Sequence, residues 1–296
     1  MKTLPFWLVD VFARQPLTGN GLSVFLLDEE LSAAAMQRIT RELRQFESIF
    51  LRRLGGSFRY RSRIFTMEEE LEFAGHPIIG AAALLHAELH NDESEARFRF
   101  VTAQREIPVV SRREASSFAA VMEQGLAMMG APLPREQTAQ FLRALNLQAP
   151  DLAPALPLQV VSTGLPYLIV PIRANLAAAR IVARDFGRLL GAVGAKFVYV
   201  LDVTRREGRS WDNDGRVEDI ATGSAAGPAA AYLVAHGLAQ SGETILMRQG
   251  RFVDRPSELY AVVRGDSELS VTIRGQVCPV GSGTLHLPEY SLGDGA

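Results

Sequence analysis

The sequence predicts an α+β protein of two pseudo-symmetric halves, each made mostly of strands wrapped around one central buried helix. Three observations predict it. Short β-rich runs recur on both sides of the chain midpoint, each half also carrying one amphipathic and one small-residue helix. The small-residue helices, "IIGAAALL" (78–85) and "GPAAAYLV" (227–234), have no polar face. A helix of that kind belongs inside a sheet, where Ala and Gly let strands approach closely. Finally, a shift of 148 residues, half of the 296, places Gly75 on Gly223, Ala81–Ala83 on Ala229–Ala231, Leu85 on Leu233 and Ala87 on Ala235. The order of elements agrees under the same shift. The expected division is 1–118 and 119–296, with the last strand able to pack back on the first half.

In order, strands are expected at "FWLVDVF" (6–12), "LSVFLL" (22–27), "SIFLRRL" (48–54) and "FRYRSRIF" (58–65). Between the second and third lies "SAAAMQRITREL" (32–43), a helix with a serine cap and helical spacing of Met36, Ile39 and Leu43. "FAGHPIIGAAALLHAEL" (73–89) feeds the first central helix, and "ARFRFVT" (96–102) and "EIPVVSR" (106–112) close this half. A connecting helix is expected at 132–146, followed by the Pro/Ala-rich linker "QAPDLAPALP" (148–157). The second half repeats the theme with strands "LQVVSTG" and "PYLIVPI", a helix over 175–193, and the strand "KFVYVLDV". Its central helix follows in "EDIATGSAAGPAAAYLVAHG" (218–237), then strands "TILMRQG", "LYAVVRG" and "LSVTIRG".

Composition narrows the function. A net charge of −2 provides no global basic field, and no basic groove lined with aromatics is evident, so nucleic acid and membrane partners are not expected. No apolar run approaches a membrane span, and Asp10 and Arg14 interrupt the N-terminus too soon for a signal-peptide core. The expected location is cytoplasmic. Cys278 is the only cysteine, which excludes any mechanism needing two thiols in one chain and reads as a buried small hydrophobe. The five histidines form no recognisable ligand cluster, so no metal is expected. His86 and His90 are better explained by a helix end than by ligation.

If the halves face each other, the two central helices can aim their N-termini, with unpaired N–H groups, at one small carboxylate substrate. Gly75 and His76 would hold it from one side, Gly223 and Ser224 from the other, glycine serving where backbone must approach a ligand. Three groups could do chemistry there. Glu47, in "QFESIF", sits between apolar neighbours, where a carboxyl loses hydration, its pKa rises and it can carry protons near neutral pH. His76 and Asp219 each lie just before or within a helix start. Pattern alone leaves a structural alternative for each: a strand-edge glutamate, a capping histidine, a loop-satisfying aspartate.

The motifs "VDVF…PLTGNGLSV", "ELRQFESIFL", "RIFTMEEELEFAGHPIIGAA", "STGLPYLIVPI", "VEDIATGSAAGPAAAYL" and "RQGRFVDRPSELY" resemble the PhzF-like family, relatives of the phenazine-biosynthesis isomerase. The resemblance runs over almost the whole chain. It implies a diaminopimelate-epimerase-like fold, in which each half is a barrel-like, mostly antiparallel sheet around its helix, and a homodimer. In related epimerases two cysteines at the helix starts act as opposing acid and base; here Ala74 and Thr222 stand there, which removes a thiol mechanism. The resemblance instead implies that Glu47 is the acid/base, that His76 and Asp219 bind and orient the substrate, and that Gly75, Gly223 and Ser224 contact its carboxylate or polar groups.

Some positions depart from the family pattern. Gly21 and Ile220 stand where proline is usual, Phe46 where serine is usual, and "SWDNDGRVED" replaces a Phe-Ala-Pro run. Phe46 and Trp211 are therefore expected to alter the pocket. The expected activity is isomerisation of a small cyclic or amino-acid-like carboxylate, with no cofactor. An epimerase using Glu47 against Asp219, and a small-ligand binding protein without turnover, are the alternatives.

Overall fold

The computed structural model describes residues 2–56, 58–103, 105–114 and 117–288. The chain divides into two compact units, Met1–Glu123 with Arg274–Ala296, and Gln124–Ile273.

The first unit begins with β1 (Lys2–Val11) and β2 (Asn20–Leu27), then α1 (Ala33–Leu43), β3 (Glu47–Arg53), β4 (Arg59–Phe65) and the short β5 (Glu70–Leu71). The central helix α2 (Gly75–Leu89) follows, then β6 (Glu95–Val101), β7 (Glu106–Glu114) and the start of β8 (Ser117–Pro132). In the second unit come α3 (Arg135–Ala144), β9 (Gln159–Ser162), β10 (Pro166–Ile172), α4 (Phe186–Ala192), β11 (Phe197–Asp202) and β12 (Glu207–Arg209). The second central helix α5 (Gly223–Ala235) precedes β13 (Thr244–Gln249), β14 (Ser257–Arg264) and β15 (Leu269–Leu287). The chain passes between units twice, within β8 and within β15.

Each unit follows one plan. In the first, β1–β2, β3–β4, β6–β7 and β7–β8 pair antiparallel, while β2–β3 and β4–β6 are parallel. In the second, β9–β10, β11–β12 and β13–β14 are antiparallel, while β10–β11 and β12–β13 are parallel. A parallel pair needs a crossover. The crossovers are α1 and α2 in one unit, and the α4 segment and α5 in the other. Both central helices begin at positions 148 apart, Gly75 and Gly223.

The local reasons are those of the sequence. Ser32 caps α1, its hydroxyl accepting from the Ala35 N–H (3.2 Å), and Met36 and Ile39 pack under it with the stacked rings of Phe25 and Phe50. Every residue of α2 from Gly75 through His86 is buried, and it touches β1, β2, β3, β6 and β7. In α5, Ala225 through Leu233 are buried in the same way. Close approach is real at Gly80 and Gly227. A Cβ at Gly80 would sit 2.5 Å from Leu22, and one at Gly227 only 1.9 Å from Gln124 Oε1.

The helix expected over 175–193 is not formed as one piece. A single 3-10 turn at Leu176–Ala178 is followed by open chain, and only α4 is helical. Arg209 is the physical cause. Its buried Nη1 takes the carbonyls of Leu176, Ala177 and Ala179, which a continuous helix would have turned inward. Trp211, expected to shape the pocket, instead packs in the second unit's core beside Leu176 and Phe186, with the Arg209 guanidinium 4.8 Å from its ring centre. Phe46 is half-buried. Cys278 is buried, its Sγ–H meeting the Ala13 carbonyl at 3.3 Å, and burial pushes its thiol pKa up. Among the described residues no helix is long and apolar enough to cross a membrane.

Gly227→Ala should therefore displace Gln124 and cost about 1–3 kcal/mol of unfolding free energy, the usual range for overpacking. Gly191→Ala, where a Cβ meets nothing within 4 Å, should be neutral or stabilising by about 0.5–1 kcal/mol. Urea titrations of the two variants check the contrast.

Candidate active site

In the first unit, Glu47 opens β3 and His76 is the second residue of α2. The structure brings these two predicted residues together: His76 Nδ1 lies 3.2 Å from Glu47 Oε2, with side-chain exposures of 6% and 8%. Glu47 pairs in register with Leu22 of β2, whose side chain would meet a Cβ at Gly80, so this carboxyl lies on the sheet face that holds α2. Burial strips hydration from the imidazolium and pushes the His76 pKa from 6.5 down to about 3. The ring is neutral near pH 7. Its Nε2 is buried and has no hydrogen-bond partner among the described residues. Ala74 occupies the N-cap of α2, no side chain caps the helix, and no acidic residue sits in its first turn. The amide of Gly75 therefore belongs to an uncapped, positively polarised helix end.

In the second unit, Thr222 occupies the N-cap of α5, the position equivalent to Ala74. Sequence reasoning noted Thr222 only as removing a thiol mechanism; its hydroxyl has another job. It donates to Asp219 Oδ2 at 2.6 Å, while the Ala221 N–H donates to Oδ1 at 3.2 Å, so both oxygens of Asp219 are oriented. Gln249 braces this turn. Its amide donates to the Asp219 carbonyl (2.8 Å) and the Thr222 hydroxyl (2.9 Å) and accepts from the Thr222 N–H (3.2 Å). Glu218, the other acid of the motif, is a structural group, paired through both carboxylate oxygens with buried Arg209 at 2.9 and 2.5 Å.

Ser224 shares a 2.7 Å hydrogen bond with the Tyr167 hydroxyl, and the Gly223 carbonyl accepts from Gln124 (2.8 Å). Tyr167, Gln124 and Gln249 were missed by the sequence reading. They come from β10, β8 and β13, and only "STGLPYLIV" and "RQG" among the resembling motifs touched two of them. His86 and His90 engage Ser111 and Glu93, and no group of three or more potential metal ligands occurs among the described residues.

The His76 ring has a consequence for stability. Between about pH 3 and 6.5 the unfolded chain binds a proton at this histidine that the folded chain does not. Its contribution is complete above pH 6.5 and is lost on acidification, by up to about 1.4 kcal/mol per pH unit. Urea unfolding across that window should show a shallower acid decline in His76→Asn than in the parent.

A family model described as phenazine biosynthesis-like protein matches residues 9–283. The chain is 32% identical over 288 residues to trans-2,3-dihydro-3-hydroxyanthranilate isomerase of Pseudomonas chlororaphis, covering 95% of this chain and 98% of that one. It is 30% identical over 290 residues to an uncharacterized isomerase of Salmonella typhimurium, covering 90% and 93%. Among solved structures, one described as a predicted epimerase from Pseudomonas aeruginosa is 49% identical, with a TM-score of 0.90 over 96% of this chain and 100% of that one. A hydroxyproline epimerase from Agrobacterium vitis, 14% identical with a TM-score of 0.61 over 96% and 92% of the two chains, shares the fold alone. The chain belongs to the phenazine biosynthesis-like (PhzF) family, has its diaminopimelate-epimerase-like fold, and is an isomerase.

Proposed function

We propose that this isomerase moves one proton within a small cyclic or amino-acid-like carboxylate, as in the conversion of trans-2,3-dihydro-3-hydroxyanthranilate, with Glu47 as the proton carrier. The observation that carries this reading is the buried Glu47 carboxyl 3.2 Å from a neutral His76 ring at an uncapped helix start. Because the ring is neutral it brings no cation beside Glu47, so the carboxyl can gain and lose a proton without breaking an ion pair with this ring.

The Glu47 carboxylate takes the proton from C3, and the C–H electron pair shifts the ring double bond. The resulting carboxylic acid returns the proton at C1, and the enol so formed tautomerises to the ketone. One carrier completes the cycle, and neither redox chemistry nor a second base enters it. Buried Nε2 of His76 is a polar atom suited to a substrate group. Asp219, held at both oxygens, orients the substrate, and Ser224 and the amides of Gly75 and Gly223 bind its carboxylate.

Epimerisation is the second reading, favoured by the description of the 49%-identical structure. It needs a base on each face of one carbon, and Asp219 would have to be the second. The bonds from Thr222 and Ala221 suit that carboxylate better to fixed orientation.

Incubation with trans-2,3-dihydro-3-hydroxyanthranilate in deuterated water, followed by NMR, tests the proposal. The parent should deliver proton or deuterium at the ring carbon, and Glu47→Gln should lower the rate by about 10²–10⁴-fold, as loss of a positioned acid/base does. Saturable binding without turnover would overturn this substrate and keep the carboxylate class. Inversion of an amino-acid α-carbon with solvent exchange on both faces would overturn the single-carrier mechanism. Thr222→Val, which removes the Thr222 donor from Asp219 Oδ2, should lower kcat/KM about tenfold, the equivalent of one hydrogen bond to a charged group, chiefly through KM.

A further inference from the structure

The second unit holds a cleft of about 530 Å³ that the proton-transfer residues do not line. Its walls include Arg173 and Asn175 after β10, Thr204 and Arg205 after β11, and Arg251 and Phe252 after β13. Three arginines in one cleft are not explained by the general charge, since the chain as a whole carries −2. One carboxylate, Asp202, also lines the cleft. Its Oδ1 accepts the N–H groups of Thr204 and Arg205 at 3.0 Å each, which ties it to the turn beneath them.

The guanidinium groups retain donors. Arg205 has no side-chain hydrogen bond or ion pair among the described residues. Arg173 donates through Nε to the Pro150 carbonyl at 3.2 Å, which leaves both terminal nitrogens directed elsewhere. Arg251 uses Nε and Nη2 on Glu207, at 2.8 and 2.9 Å, and keeps Nη1.

One wall is rigid. Two guanidinium groups lie against the Phe252 ring, Arg251 at 4.2 Å and Arg209 at 4.4 Å from its centre. Arg209 is in turn fixed by the Glu218 carboxylate and three backbone carbonyls. Arg251 is thus held at two places before any ligand arrives, and a donor ordered in advance loses little entropy on binding. Two cations already lie against the Phe252 ring, which makes it a poor platform for a nucleobase. What remains for recognition is an anion, and planar guanidinium forks match the tetrahedrally placed oxygens of a phosphate group. The volume lies within the range of small-molecule pockets.

We propose that this cleft binds a phosphate-bearing small anion through Arg173, Arg205 and Arg251, as a site separate from the residues assigned to proton transfer. The assignment stands on the cleft alone and does not depend on the isomerase substrate.

Inorganic pyrophosphate is the probe. Calorimetric titration of the full chain at low ionic strength should show saturable one-to-one binding with a Kd below about 1 mM, weakening as salt is added. Arg173→Ala combined with Arg205→Ala, both exposed positions, should weaken binding at least about tenfold, the scale of one charge-assisted pair, with Tm of the unliganded protein unchanged. Absence of saturable binding overturns the proposal, as does binding that the double substitution leaves intact. Citrate bound as tightly as pyrophosphate would overturn the phosphate class.

Discussion

The proton-transfer reading depends on burying a carboxyl and an imidazole together at the start of a buried helix. Glu47 and His76 reach that position only because β3 begins where it does and α2 is packed on all sides. Desolvation then removes the positive charge from His76 and leaves a neutral ring beside the glutamate. A surface pair of the same residues would carry an imidazolium at moderately acid pH and behave as an ordinary ion pair. The helix supplies a second consequence: with Ala74 at its N-cap and no acid in its first turn, no cap side chain takes its first amides.

The two units use one scaffold for different tasks. The same crossover pattern surrounds α2 and α5, and the equivalent cap positions carry Ala74 and Thr222. Where the first unit places the Glu47 carboxyl beside a neutral ring, the second fixes an aspartate through Thr222, Ala221 and the brace of Gln249. Glu218, next to that aspartate, goes inward to Arg209 and anchors the turn from below. Two adjacent acids thus separate into a structural partner and a carboxylate held at both oxygens.

Much of this was legible in the sequence because it is local. The serine before "AAAMQRITREL" names its own cap, the polar-free runs of α2 and α5 name buried helices, and the shift of 148 aligns their first residues. Glu47, His76 and Asp219 were singled out by neighbours and motif. What escaped depended on residues far apart in the chain. The expected 175–193 helix gave way to Arg209, thirty or more positions beyond the carbonyls it claims. Tyr167 reaches Ser224 across 57 positions and Gln124 reaches Gly223 across 99, contacts that no periodicity encodes. Thr222 was read by the thiol chemistry it lacks, and its value as a donor to Asp219 appeared only with the turn in place.

The protonation state of His76 tests the account most directly. Nitrogen-15 NMR of the histidine ring in the folded protein near pH 5.5 should show one pyrrole-type and one pyridine-type nitrogen, the signature of a neutral imidazole. Two pyrrole-type nitrogens would show an imidazolium beside Glu47, and the pair would then be an ion pair at rest, contradicting the neutral ring on which the proton-carrier assignment rests.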